Sequence, residues 1–124
     1  MKKTLDDAEK LYRSNDLDKA KKLYLDILQQ TDVKSLHAEA YWGLARIAVK
    51  QKDPETGERL FEKTLELEPE PFIKAWSLIF LARLAAAAGD REKAIQHFQD
   101  ALKVQGASED ALKAAQQGVK DISK

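Results

Sequence analysis

The residues able to do chemistry in this sequence are few, and they are spaced for recognition rather than for bond making. There are two histidines, His37 and His97, and no cysteine. Thiolate nucleophiles, disulfides and cysteine-based zinc sites are therefore excluded. The histidines stand far apart without the cluster of ligands a metal needs, and both are read as structural or surface residues. No glycine-rich phosphate loop, Ser-His-Asp set or nucleophile elbow is present, so an enzyme is not expected and no cofactor is implied. What remains is a column of charge beside aromatics. Glu9, Arg46, Arg83 and Lys120 follow one another at equal steps of 37 residues. Glu9 can answer Arg46. Arg83 has Ile79, Phe80, Ala86 and Ala87 at three and four residues either way, so it has no acidic neighbour on its own helix. An unpaired guanidinium beside aromatic rings can receive a carboxylate, bidentate or stacked. The alternative is an arginine whose stem lies along apolar surface while its head reaches water.

Helices must position these groups. Apolar spacing gives seven helical segments, at 4–14, 17–30, 34–51, 54–68, 71–88, 91–104 and 109–122. Asp16, Asp53 and Asp90 each precede a helical run and can accept from its orphan amides, and Pro54 suits a first helical position. Gly89 and Gly106 sit where the chain must leave a helix through a left-handed residue. Ser108 caps the last helix, with Glu109 and Asp110 in its first turn.

The same step of 37 residues recurs elsewhere. It links Ala8, Ala45 and Ala82; Asp16, Asp53 and Asp90; Ala20, Gly57 and Ala94; Tyr24, Phe61 and Phe98; and Leu28, Leu65 and Leu102. One helix pair per step cannot bury its own apolar face and must stack on its neighbours. Alanine or glycine at paired columns lets helices approach to about 8–10 Å between axes. The aromatic column should fill the space between successive pairs.

These columns resemble the tetratricopeptide repeat family. The second unit matches through Ala38, Tyr41, Leu44, Ala45, Gly57, Phe61, Leu65 and Pro69, and the third through Leu81, Ala82, Gly89, Ala94, Phe98 and Ala101. The first keeps Ala8, Asp16, Ala20 and Tyr24 but has Asp7 where the family has leucine. The family repeat is about 34 residues long, so the units here are lengthened, at Ser35–His37 and Phe72–Lys74. The resemblance implies an all-α fold, an antiparallel helix-pair α-solenoid of seven helices. It reads as a single domain over 1–124, with repeats at about 1–37, 38–74 and 75–108 and a solvating cap at 109–124.

The family places ligand contacts on the inner, concave face, lined by the first helix of each pair. Carried over by register, the partner-binding groove comprises Trp42, Arg46, Val49, Trp76, Ile79, Phe80 and Arg83. The family's clamp for chaperone carboxylates is not expected, because Leu5, Glu9, Gly43, Trp76 and Phe80 stand at its positions. The strip of Trp76, Ile79 and Phe80 has two readings. It is core, with Phe80 nested over Gly43, or it is an exposed groove. The expected function is a protein–protein interaction module whose partner is a protein or peptide segment carrying acidic and bulky apolar residues. The alternative is self-association as a homodimer, or packing on another domain of a longer chain. Lys+Arg and Asp+Glu both number 21, which argues against nucleic acid and against a polybasic membrane anchor. Met1-Lys2-Lys3-Thr4 opens like a signal peptide, but Leu5 gives way to Asp6, Asp7 and Glu9. With no membrane-spanning run either, the expected location is cytoplasmic.

Overall fold

The computed structural model describes residues 1–124 and is all-α, with no strand. Seven helices follow in order: α1 (Lys2–Arg13), α2 (Leu17–Gln30), α3 (Lys34–Lys50), α4 (Pro54–Glu66), α5 (Pro71–Ala87), α6 (Arg91–Leu102) and α7 (Glu109–Ile122). They form two compact units, Met1–Glu68 and Pro69–Lys124. No helix is long and apolar enough to cross a membrane. The expected segments match these helices to within two residues at every end. α4 stops early because Glu68 turns left-handed, at φ 52°, immediately before Pro69.

The turn inside each helix pair is built three times from one pattern. Asn15, Lys52 and Gly89 occupy the left-handed region, at φ 65°, 60° and 86°. Around each, two backbone bonds close the helix end. Asp16 N–H donates to the Leu11 carbonyl and Asn15 N–H to Tyr12; the equivalents join Asp53 to Ala48 and Lys52 to Val49, then Asp90 to Ala85 and Gly89 to Ala86. This is the Schellman arrangement. The same aspartates then cap the next helix, accepting from the amides of Lys19, Thr56 and Lys93. Thr56 bonding holds the Asp53 carboxyl below its ordinary range. Only the glycine of the three left-handed positions was legible in the sequence.

In the first unit α1 packs on α2, α2 on α3 and α3 on α4, and α1 also reaches α3. Ala8, Ala20, Ile27 and Ala40 are fully buried at its centre, with Tyr24, Leu44 and Ile47 around them. Gly57 brings α4 against α3: a Cβ there would lie 3.1 Å from Val49 Cγ2 and 3.9 Å from Ala48 Cβ. Gly43 on α3 receives the flat of the Tyr24 ring, whose atoms would stand 2.2–2.5 Å from an added Cβ. The occupant of the Gly43 gap is therefore Tyr24 from the preceding helix, not Phe80.

In the second unit α5 packs on α6, α6 on α7 and α5 on α7. Ala82 and Ala94 are fully buried, as their columns require. Phe98 repeats the role of Tyr24. Its ring atoms would lie 2.3–2.6 Å from a Cβ at Gly118 on α7. Ser108 caps α7 by accepting from the Ala111 amide. At the far end of α7 the Arg91 guanidinium donates to the Ile122 carbonyl, so α6 holds the last turn.

Candidate functional site

α3 carries Trp42, Arg46, Val49 and Lys50 on neighbouring turns, and α1 presents Glu9 and Tyr12 one turn apart. Arg46 joins the two helices. Its Nη2 donates to both Glu9 carboxylate oxygens, at 3.1 and 3.3 Å, and reaches the Tyr24 hydroxyl at 3.5 Å. The guanidinium carbon lies 4.3 Å from the Tyr12 ring centroid and 4.9 Å from that of Trp42. Lys50 Nζ sits 4.3 Å from the Tyr12 ring as well. Glu9 therefore answers Arg46, as the spacing predicts. Burial pushes the Tyr24 phenol up to about 12, against the opposing pull of Arg46. Tyr12 is raised for the same reason. Arg46 thus uses Nη2 inside the protein, while its Nε has no hydrogen-bond partner. This network fastens α1 to α3.

On α5 the sequence reading divides. Ile79 is fully buried, because it shares a stripe with Ala75 and Ala82, both also at 0 % exposure. Trp42 holds the equivalent place on α3, beside buried Ala38 and Ala45, and meets the Phe61 ring edge-on at 5.8 Å. The register column of Trp42 and Ile79 thus faces the core, so of the two readings of the strip the packed one holds at Ile79. Val49 packs on Gly57 between α3 and α4. Trp76 and Phe80 are half-buried and lie on the next stripe round α5, with Arg83 one turn on. Arg83 is exposed, and its guanidinium carbon is 5.8 Å from both ring centroids. It forms no hydrogen bond or ion pair.

Beside Arg83 a cleft of about 340 Å³ opens between α5 and α7, with Phe98 of α6 at its floor. Ala86 continues the α5 wall, while Ala114, Gln117, Gly118, Asp121 and Ile122 supply the other. No group of three or more His, Cys, Asp or Glu residues is placed to hold a metal ion. His37 donates from Nε2 to the Thr31 carbonyl and closes the α2–α3 connection, a structural use.

A profile of the tetratricopeptide repeat matches residues 36–107, from the start of α3 through the turn after α6. The chain belongs to the tetratricopeptide repeat family. No curated protein matches it. Within the matched span lie two repeats, α3–α4 and α5–α6. The α1–α2 pair lies outside the span yet keeps the repeat's small and aromatic residues, Ala8, Ala20 and Tyr24, all buried. Tetratricopeptide repeats are in general protein–protein interaction modules. The sequence reading missed the α7 wall of the cleft, because it assigned α7 only a sealing role. One signal was available: Gly118 inside a helix costs about 1 kcal/mol against alanine and so marks a close approach.

Proposed function

We propose that this tetratricopeptide repeat protein holds a segment of a partner polypeptide against the face of α5 that carries Trp76, Phe80 and Arg83. The observation that carries the reading is Arg83, an exposed guanidinium with no ion pair, beside two aromatic rings. A carboxylate on the partner would complete it, and a bulky apolar side chain next to that carboxylate would cover Trp76. Arg46 serves within the protein, already bonded to Glu9, and Trp42, Val49 and Ile79 support the helices from the packed side.

The test uses labelled dodecapeptides that pair an acidic residue with leucine or phenylalanine, followed by tryptophan emission and anisotropy. Arg83→Ala should weaken binding about tenfold, equivalent to roughly 1.4 kcal/mol, with the melting temperature unchanged. Trp76→Ala should weaken it further, as truncation of an aromatic anchor does. Equal affinity of wild type and Arg83→Ala for the acidic peptides would remove the basis of the proposal. So would dissolution of a stable homodimer by these substitutions, which would make a second copy the occupant of this face.

A further inference from the structure

The cleft between α5 and α7 has more chemistry than one cation. We infer that α7 is a reading wall as well as a cap, and that the cleft selects a partner segment bearing an apolar side chain flanked by an acidic residue on one side and a basic residue on the other. This rests on the proposed use of Arg83 and adds what the partner must present to α7.

The α7 residues lining the cleft are Ala114, Gln117, Gly118, Asp121 and Ile122. They fall at helical spacing on one stripe, running about 12 Å along the axis at 1.5 Å per residue. The floor of the stripe is apolar and low: Ala114, Ala86 and Gly118 carry almost no side chain, and Phe98 lies beneath Gly118 in contact with its Cα. A bulky apolar side chain of the ligand has room there. The volume of about 340 Å³ lies within the range of ligand pockets. The two walls differ in sign. Arg83 on α5 is unpaired. Asp121 on α7 accepts from Gln117 Nε2 at 2.8 Å, and Lys124 Nζ stands at 3.9 Å, near the limit of an ion pair. Both Lys124 and Asp121 are more than half exposed, at 79 % and 57 %, so a ligand cation displaces that lysine at little cost. Gln117 then keeps the carboxylate aimed while the second oxygen takes the ligand. The wall itself is held in place by the Arg91 bond to the Ile122 carbonyl and by the Phe98–Gly118 contact.

Alternate side chains of an extended segment point the same way. The probes are dodecapeptides with Glu-x-Leu-x-Lys or Lys-x-Leu-x-Glu at their centre, which set the two charges on either side of one apolar residue, against Glu-x-Leu-x-Glu as the like-charged control. Anisotropy titrations on the full chain at low salt should show one mixed-charge peptide binding about fivefold or more tighter than the control. Asp121→Lys should reverse that preference, because the wall then repels the basic residue and favours the second acid. Asp121 is exposed, so this variant should melt with the wild type, and Gln117→Trp should block all three peptides by filling the cleft from an exposed position. An unchanged preference in Asp121→Lys, while Arg83→Ala still loses binding, overturns the role of α7 and leaves the use of Arg83 standing. Failure of every peptide to bind the wild type overturns both.

Discussion

Two arginines one repeat apart have opposite fates, and their neighbours decide which. Arg46 has Glu9 across from it on α1 and is sandwiched between the rings of Tyr12 and Trp42. Its side chain is only 12 % exposed, against 31 % for Glu9. Removing the acid leaves a largely buried cation with unfilled donors. Glu9→Ala should therefore cost about 1–2 kcal/mol in urea unfolding. The Glu9→Ala, Arg46→Leu double variant should lose less than the sum of the two single losses, because the second change removes the orphan created by the first. Tyr24 adds a pH dependence to the same network. Its folded phenol is raised from 10.0 to about 12. Between those values the unfolded chain releases a proton that the folded chain keeps, so stability is complete below pH 10 and falls as pH rises towards about 12. Denaturant titrations over that window should show wild type losing its advantage over Tyr24→Phe as the pH climbs. A constant difference would mean that the phenol ionises freely in the folded protein.

At the scale of the element, two glycines set how closely successive helices pack. Gly43 admits the Tyr24 ring and Gly118 admits the Phe98 ring, and neither ring leaves room for a methyl group. Rings fixed between helices cannot retreat as a long side chain would. Gly43→Ala and Gly118→Ala should each destabilise by about 1–3 kcal/mol through overpacking, although alanine is the better helix former. Calorimetry decides between the effects, since a rise in melting temperature would mean that helix propensity outweighs the clash. The left-handed turn positions show the opposite tolerance. They hold Asn15, Lys52 and Gly89, which have the same backbone geometry without a shared residue type. The two Schellman bonds and the capping aspartate hold the turn whatever its side chain.

For the molecule as a whole, the question is what each unit needs in order to be complete. In the second unit α7 covers Phe98, which is 4 % exposed, and buries its own Ala111 and Ala115, at 1 % and 0 %. Ending the chain after Gly106 would uncover the Phe98 ring at a loss of about 2 kcal/mol from that side chain alone. Such a chain should melt at lower temperature and associate in light scattering. A monomer with the wild-type melting temperature would show that α7 contributes nothing to the fold. Formal net charge is zero, so the proposed recognition at Arg83 is a local contact with no long-range field behind it.

Periodicity alone determined the seven helices, their capping aspartates and the column of small and aromatic residues, since these follow from 3.6-residue spacing and from local hydrogen bonding within a few residues. The pairing of Glu9 with Arg46 was legible too, because a strict repeat places equivalent residues on adjacent first helices. Tertiary structure alone decided which apolar residues stay at the surface. The spacing on α5 puts Ile79 three residues from Trp76 and one from Phe80, and an all-round apolar helix has no pattern by which to rank its faces. Packing buries the stripe of Ala75, Ile79 and Ala82 and leaves Trp76, Phe80 and Arg83 on the next. The cleft was likewise beyond sequence. Its lining brings together Arg83 and Asp121, 38 positions apart and off the repeat register by one, with Phe98 and Gly118. Contacts of that kind depend on how three helices close on one another, and no local rule fixes that.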